Sequence, residues 1–97
     1  MSGHNLLADI GAWSKKQFPD ATLEGTLAHI EKELHEIREH PDDLYEVADV
    51  IILCCQLAAI AGKHDMLMYH IGVKHELNKQ RRWPKEPDAS GVYQHLV

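Results

Sequence analysis

The chain has 97 residues, a formal net charge of −5 at pH 7 and a pI near 5.8. That length supports one domain with a modest core, so help from self-association is expected. The acidic balance excludes a binder of nucleic-acid backbones, which presents a basic face, and suits a protein that gathers carboxylates for cations.

In chain order, the first helix is expected from Asn5 to Gln17, with Leu6, Leu7, Ile10 and Trp13 on one apolar side; "FPDAT" ends it. The second is expected over 23–40, where Leu23, Leu27, Ile30, Leu34 and Ile37 recur at steps of four and three as a narrow seam for a partner helix. Pro41 suits the first turn of a third helix, and Asp42 and Asp43 favour its positive end. This helix runs to Ala61 and is capped by Gly62. Its second half is apolar on nearly every side, which makes it central or an interface helix. A fourth helix is expected over 65–82, ended by "RWPKEP", and residues 83–97 form an arm with little structure of their own. Four short-linked helices without a strand pattern predict an all-α fold. Its form is an antiparallel four-helix bundle in a single domain, 1–97, completed by oligomerisation. The tight "EHPDD" link makes helices two and three neighbours.

Cys54 and Cys55 are adjacent on a helix and point about 100° apart, so a disulfide between them is not expected. They read as buried, reduced core residues. "MSGHNLLADI" lacks the basic start and long apolar core of a signal peptide, and "VIILCCQLAAIAG" is too short for a membrane span and is interrupted by Gln56. A soluble, cytoplasmic protein without membrane partners is expected.

The chemistry concentrates in "EKELHEIREHPDDLYEVAD". Glu33 and Glu36 are three apart on helix two and leave it on nearly the same side; Glu46 and Asp49 repeat that step on helix three. The hairpin between them lets four acids converge near its closed end. Like charges held that close repel, and a hard divalent ion such as Mg²⁺ or Mn²⁺ relieves the repulsion while keeping room for phosphate oxygens. Asp49 carries most weight, because "EVADVIILCC" embeds it in an apolar run where an unpaired carboxylate is costly. Glu31 and Glu39 fall on more exposed sides. A di-iron bundle would use Glu-x-x-His, and no acid here has a histidine three residues later. His29 and His40 share the flank of Glu33 and Glu36.

On helix four, Lys74, Asn78 and Arg81 lie on one side with Leu67 and Ile71. Basic groups on an otherwise inward side suggest a polyphosphate, with lysine as a point charge, arginine as a fork and asparagine as donor and acceptor. Trp13 and Trp83 have the rings to stack on a base, but core or hinge packing explains either more readily, and neither is assigned to the site.

"Glu33-x-x-Glu36" followed by "Glu46-x-x-Asp49" resembles the signature of the MazG-like, all-α nucleoside triphosphate pyrophosphohydrolases. "Lys74-x3-Asn78-x2-Arg81", "RRWP" and the closing "GVYQHL" look like the small dATP/dGTP diphosphohydrolase branch of phages. The resemblance implies Mg²⁺-dependent cleavage of a (deoxy)nucleoside triphosphate to the monophosphate and pyrophosphate. Purine substrates such as dGTP or dATP are implied, with two or more ions per site. It implies metal-ligand positions at Glu33, Glu36, Glu46 and Asp49 and nucleotide contacts at Lys74 and Asn78. It further implies a homodimer or homotetramer with sites at subunit contacts. Glu36 and Glu33 would act on the water, and Lys74 on the leaving group. Two features depart from the pattern: the short gap between Glu36 and Glu46, and the basic pair Arg81–Arg82. The alternatives are another enzyme of the fold, acting on phosphoribosyl-ATP or dUTP, and a non-catalytic nucleotide-sensing or partner-binding module.

Overall fold

A computed structural model describes residues 4–96; residues 1–3 and Val97, the last residue of the expected arm, lie outside the described residues. Four α-helices and one short 3-10 turn follow in order: α1, Leu6–Gln17; α2, Leu23–Glu39; α3, Leu44–Ile60; the 3-10 turn, His64–Met66; and α4, Leu67–Gln80. No strand occurs among the described residues; an isolated bridge joins Arg82 to Leu96.

The first three helices begin at side-chain caps. Asn5 Oδ1 accepts from the Ala8 amide at 3.1 Å, Thr22 Oγ1 from Gly25 at 3.0 Å and Asp43 Oδ1 from Tyr45 at 2.9 Å. Each satisfies an amide that a helix start leaves unpaired. Asp43 is therefore the cap of α3, and Pro41 lies ahead of the helix instead of in its first turn. At the other end Gly62 adopts φ +72°; its amide bonds the Ala59 carbonyl and the Lys63 amide bonds that of Ala58, each at 2.9 Å. This paired closure needs a left-handed residue, and glycine takes that conformation without a Cβ penalty.

Helix α3 is central, packed by α1 on one side and α2 on the other. Leu53, Cys55 and Ala59 are its buried residues. Cys54 is exposed, which corrects the expectation that both cysteines are core: neighbours about 100° apart cannot share one buried face. On α1 the buried positions are Gly11 and Ser14, while Trp13 turns outward with 59% of its surface accessible. On α2, Thr26 is buried and Ile30, Glu33 and Ile37 are half-buried, whereas Leu23, Leu27 and Leu34 of the apolar seam stay exposed. Helix α4 packs mainly against α1 and the 3-10 turn and has no buried residue.

Beyond α4 the described residues form only turns and the isolated bridge, and the chain folds back on itself. The Leu96 amide bonds the Arg82 carbonyl at 2.6 Å, and Trp83 meets His95 edge-on at 5.9 Å. Asp88 closes the loop by accepting from the Ser90 and Val92 amides and the Ser90 hydroxyl, bonds that hold its carboxyl below the ordinary range. No described helix is long and apolar enough to cross a membrane.

Candidate active site

The four-residue link over 40–43 folds α3 back along α2 in an antiparallel register. That register sets Glu36 opposite Glu46 near the closed end and Glu33 opposite Asp49 one turn further in. Carboxylate oxygens of Glu33, Glu46 and Asp49 lie within 4.8 Å of one another. Glu33 and Glu46 are half-buried and Asp49 is exposed. The Glu33 side chain is 18% accessible, with His29 Nε2 at 3.3 Å from its Oε1. Glu36 groups instead with Glu39 and His40 at the end of α2, yet it still acts on the first cluster. The Glu46 carboxyl is held above its ordinary pKa by burial first, then by the charge of Glu36, then by Asp43, Asp49 and Glu33.

This arrangement is strained electrostatically in the way a divalent cation relieves. All the donors are carboxylate oxygens, the hard set that Mg²⁺ and Mn²⁺ prefer. They come from two helices joined by one short link. The donor set fits a divalent cation, with Glu33, Glu46 and Asp49 around one position and Glu36 beside it.

Glu33 and Asp49 also form one end of a cavity of about 790 Å³ between α1, α2, α3 and the link that carries Phe18, Pro19 and Ala21. Its volume suits a nucleotide-sized ligand. Trp13 and Phe18 wall it and meet edge-on, with centroids 5.7 Å apart. Its polar lining includes Ser14, Thr26 and Gln56. Of these, Ser14 and Thr26 are 4% and 2% accessible. The amide of Gln56 spans them: its Oε1 accepts from Ser14 Oγ at 2.9 Å and its Nε2 donates to Thr26 Oγ1 at 2.8 Å. Sequence reasoning did not single out Ser14, Thr26, Gln56 or this cavity. The available signal was Gln56 itself, a polar residue within the apolar run of α3.

The basic stripe lies elsewhere in the protomer. Lys74 and Asn78 line a shallow groove on α4 with Leu67, His70, Ile71 and His75. Arg81 Nη1 donates to Asn78 Oδ1 at 3.3 Å, and Trp83 Nε1 donates to the Asn78 carbonyl at 2.7 Å. Lys74, Asn78 and Arg81 are thus brought together, but neither Lys74 nor Asn78 lines the cavity that holds Glu33 and Asp49.

The sequence model of the family described as dATP/dGTP pyrophosphohydrolase matches residues 6–95. A dATP/dGTP diphosphohydrolase of Cyanophage S-2L is 32% identical over 93 residues, which is 94% of this chain and 85% of that protein. A dATP/dGTP diphosphohydrolase of Salmonella phage PMBT28 is 32% identical over 89 residues; the match covers 91% of this chain but only 29% of the relative's length. Among solved structures, the Cyanophage S-2L MazG-like pyrophosphohydrolase superposes with a TM-score of 0.72 at 33% identity, covering 95% of this chain and 94% of that one. That structure holds dGDP and three catalytic Mn²⁺ ions per active site.

Proposed function

Because the chain belongs to the dATP/dGTP pyrophosphohydrolase family, we propose that it hydrolyses purine deoxynucleoside triphosphates, dATP and dGTP, to the monophosphate and pyrophosphate. The observation that carries this reading is the junction of an all-carboxylate cluster with an aromatic-walled cavity of about 790 Å³. The cluster fits the metal-bridged phosphates and the cavity fits the nucleoside.

Glu33, Glu36, Glu46 and Asp49 would hold divalent ions, Mg²⁺ or Mn²⁺, two or three per site. When bound, such ions polarise phosphoryl oxygens and acidify water. The chain's own groups do the rest. The cavity seats the base against Trp13 and Phe18, which puts the α-phosphorus at the acid end. Water attacks that phosphorus, a new P–O bond forms, and the bond to the bridging oxygen breaks as pyrophosphate leaves. Glu36 beside Glu46 takes the proton of the attacking water. A cation is needed for the leaving pyrophosphate, and Lys74, with Asn78 and Arg81 beside it, supplies the chemistry.

In one protomer that stripe and the acid cluster line separate cavities. We therefore assign Lys74, Asn78 and Arg81 to the site of a second copy, in a homodimer or homotetramer. The exposed Leu23, Leu27 and Leu34 of α2, Ile51 and Ile52 of α3, and Met68, Tyr69 and Val73 of α4 support this, since one chain leaves them uncovered. The phage origin of both relatives supports action in the cytoplasm of an infected host.

Turnover of dGTP in ¹⁸O-labelled water tests the chemistry. One label is expected in dGMP and none in pyrophosphate. Label in pyrophosphate would put the attack at the β-phosphorus and overturn the proposal.

A further inference from the structure

We propose that Gln56 is the residue that reads the purine base, and that Thr22, Thr26 and Ser14 fix which way its amide faces. The inference rests on the nucleotide reading above and adds the specificity element to it.

The protons available to the network fix the amide. Thr26 Oγ1 lies 2.8 Å from the Thr22 carbonyl oxygen. A carbonyl only accepts, so the Thr26 hydroxyl proton is committed to it. Toward Gln56, 2.8 Å away, Thr26 can then only accept, and the group facing it must be the amide nitrogen. The amide oxygen is left facing Ser14, whose hydroxyl donates to it at 2.9 Å. Turning the amide round would set an oxygen against a threonine with no proton to give. That would leave two acceptors facing each other beside a 2% accessible hydroxyl.

Each bond uses half of what its amide atom offers. Gln56 retains one Nε2–H and one lone pair on Oε1. It lines the same cavity as Trp13, Glu33 and Asp49. On its Watson–Crick edge, at positions 1 and 6, a purine presents an adjacent donor and acceptor, and a carboxamide is their complement. Adenine and guanine differ in which group stands at position 6, so a fixed amide treats them differently where a free one would turn to suit either. The network spans α1, α2 and α3, so it also ties the base site to the three helices that carry or flank the acids.

The test separates base reading from turnover. Dissociation constants for dAMP, dGMP and base-free deoxyribose 5-phosphate are measured by calorimetry on the wild-type chain, Gln56→Met and Thr26→Val. Circular dichroism verifies the fold, and Thr26→Val keeps the proposal testable if Gln56→Met does not fold. Gln56→Met is expected to weaken the purine monophosphate that the fixed amide complements about tenfold or more, the loss of one or two hydrogen bonds, to weaken the other purine less, and to leave deoxyribose 5-phosphate unchanged. Thr26→Val frees the amide and is expected to change the dAMP to dGMP affinity ratio about threefold or more. Equal weakening of all three ligands by Gln56→Met, or no weakening, would overturn the proposal, as would an unchanged ratio in Thr26→Val. Purine binding that depends on Gln56 in a chain that cleaves no triphosphate would overturn the enzymatic reading alone.

Discussion

Glu46 stands where burial and four neighbouring acids all oppose its charge. Its folded pKa is raised, so the folded chain holds this proton more tightly than the unfolded chain does. The corresponding stability is present below the ordinary carboxylate pKa and lost as pH rises through the elevated folded value. In metal-free protein, melting temperature should therefore fall across that window more steeply for the wild type than for Glu46→Gln, and added Mn²⁺ should offset the fall only in the wild type. Parallel melting curves for the two proteins would contradict the account of the cluster. The roles of the acids give a second expectation. Glu36→Ala or Asp49→Ala should lower kcat by about a hundredfold or more, beyond the 10–100-fold typical of groups one step removed from a metal, with helical content unchanged. Full turnover in either variant removes that residue from the mechanism.

At the scale of elements, the acid hairpin was legible because its signal is local. Repeated i,i+3 acids and a short proline-containing link fix both the face and the register, and the central place of α3 followed from its all-round apolar pattern. The side chains that line the cavity were less legible. The periodicity of α1 pointed to Trp13 as an inward residue, yet Gly11 and Ser14 are the buried pair. The reason is close packing: the 3-10 turn lies so near α1 that a Cβ at Gly11 would meet the Cβ and ring carbons of His64. Small residues face in there, and the exposed indole lines the open cavity beside them. Gly11→Ala should therefore destabilise the chain. Overpacking costs about 1–3 kcal/mol, with so close a contact at the upper part of that range, about 2–3 kcal/mol, and the gain in helix propensity returns about 1 kcal/mol, so a loss of about 1–2 kcal/mol is expected. Thermal unfolding would register this as a fall of several degrees; an unchanged or higher midpoint would contradict the contact. The role of Gln56 was not legible for a different reason. A single polar residue in an apolar run carries no periodicity, and its partners on α1 and α2 are distant in sequence.

The whole molecule is more open than its length requires. The radius of gyration is 15.8 Å, against about 13 Å for a compact domain of about 100 residues. Helix α4, without a buried residue, and the exposed leucines of α2 account for the openness, and a second copy would cover such surfaces. If that copy also supplies Lys74, two inactive variants should rescue each other. Asp49→Ala and Lys74→Ala chains, each inert alone, should regain about a quarter of wild-type activity when refolded together in equal amounts, because random pairing leaves one intact site in each mixed dimer. Absence of rescue would assign both residues to one chain. The central claim, a divalent-metal-dependent purine dNTP pyrophosphohydrolase, is tested most directly by product analysis. The four dNTPs, dUTP and the ribonucleotides are incubated with Mg²⁺ or Mn²⁺, with and without EDTA, and resolved by anion exchange. The account predicts that dATP and dGTP are converted fastest, to monophosphate and pyrophosphate only, and that EDTA stops the reaction. Cleavage that survives EDTA, release of inorganic phosphate instead of pyrophosphate, or no cleavage of any nucleotide would contradict it.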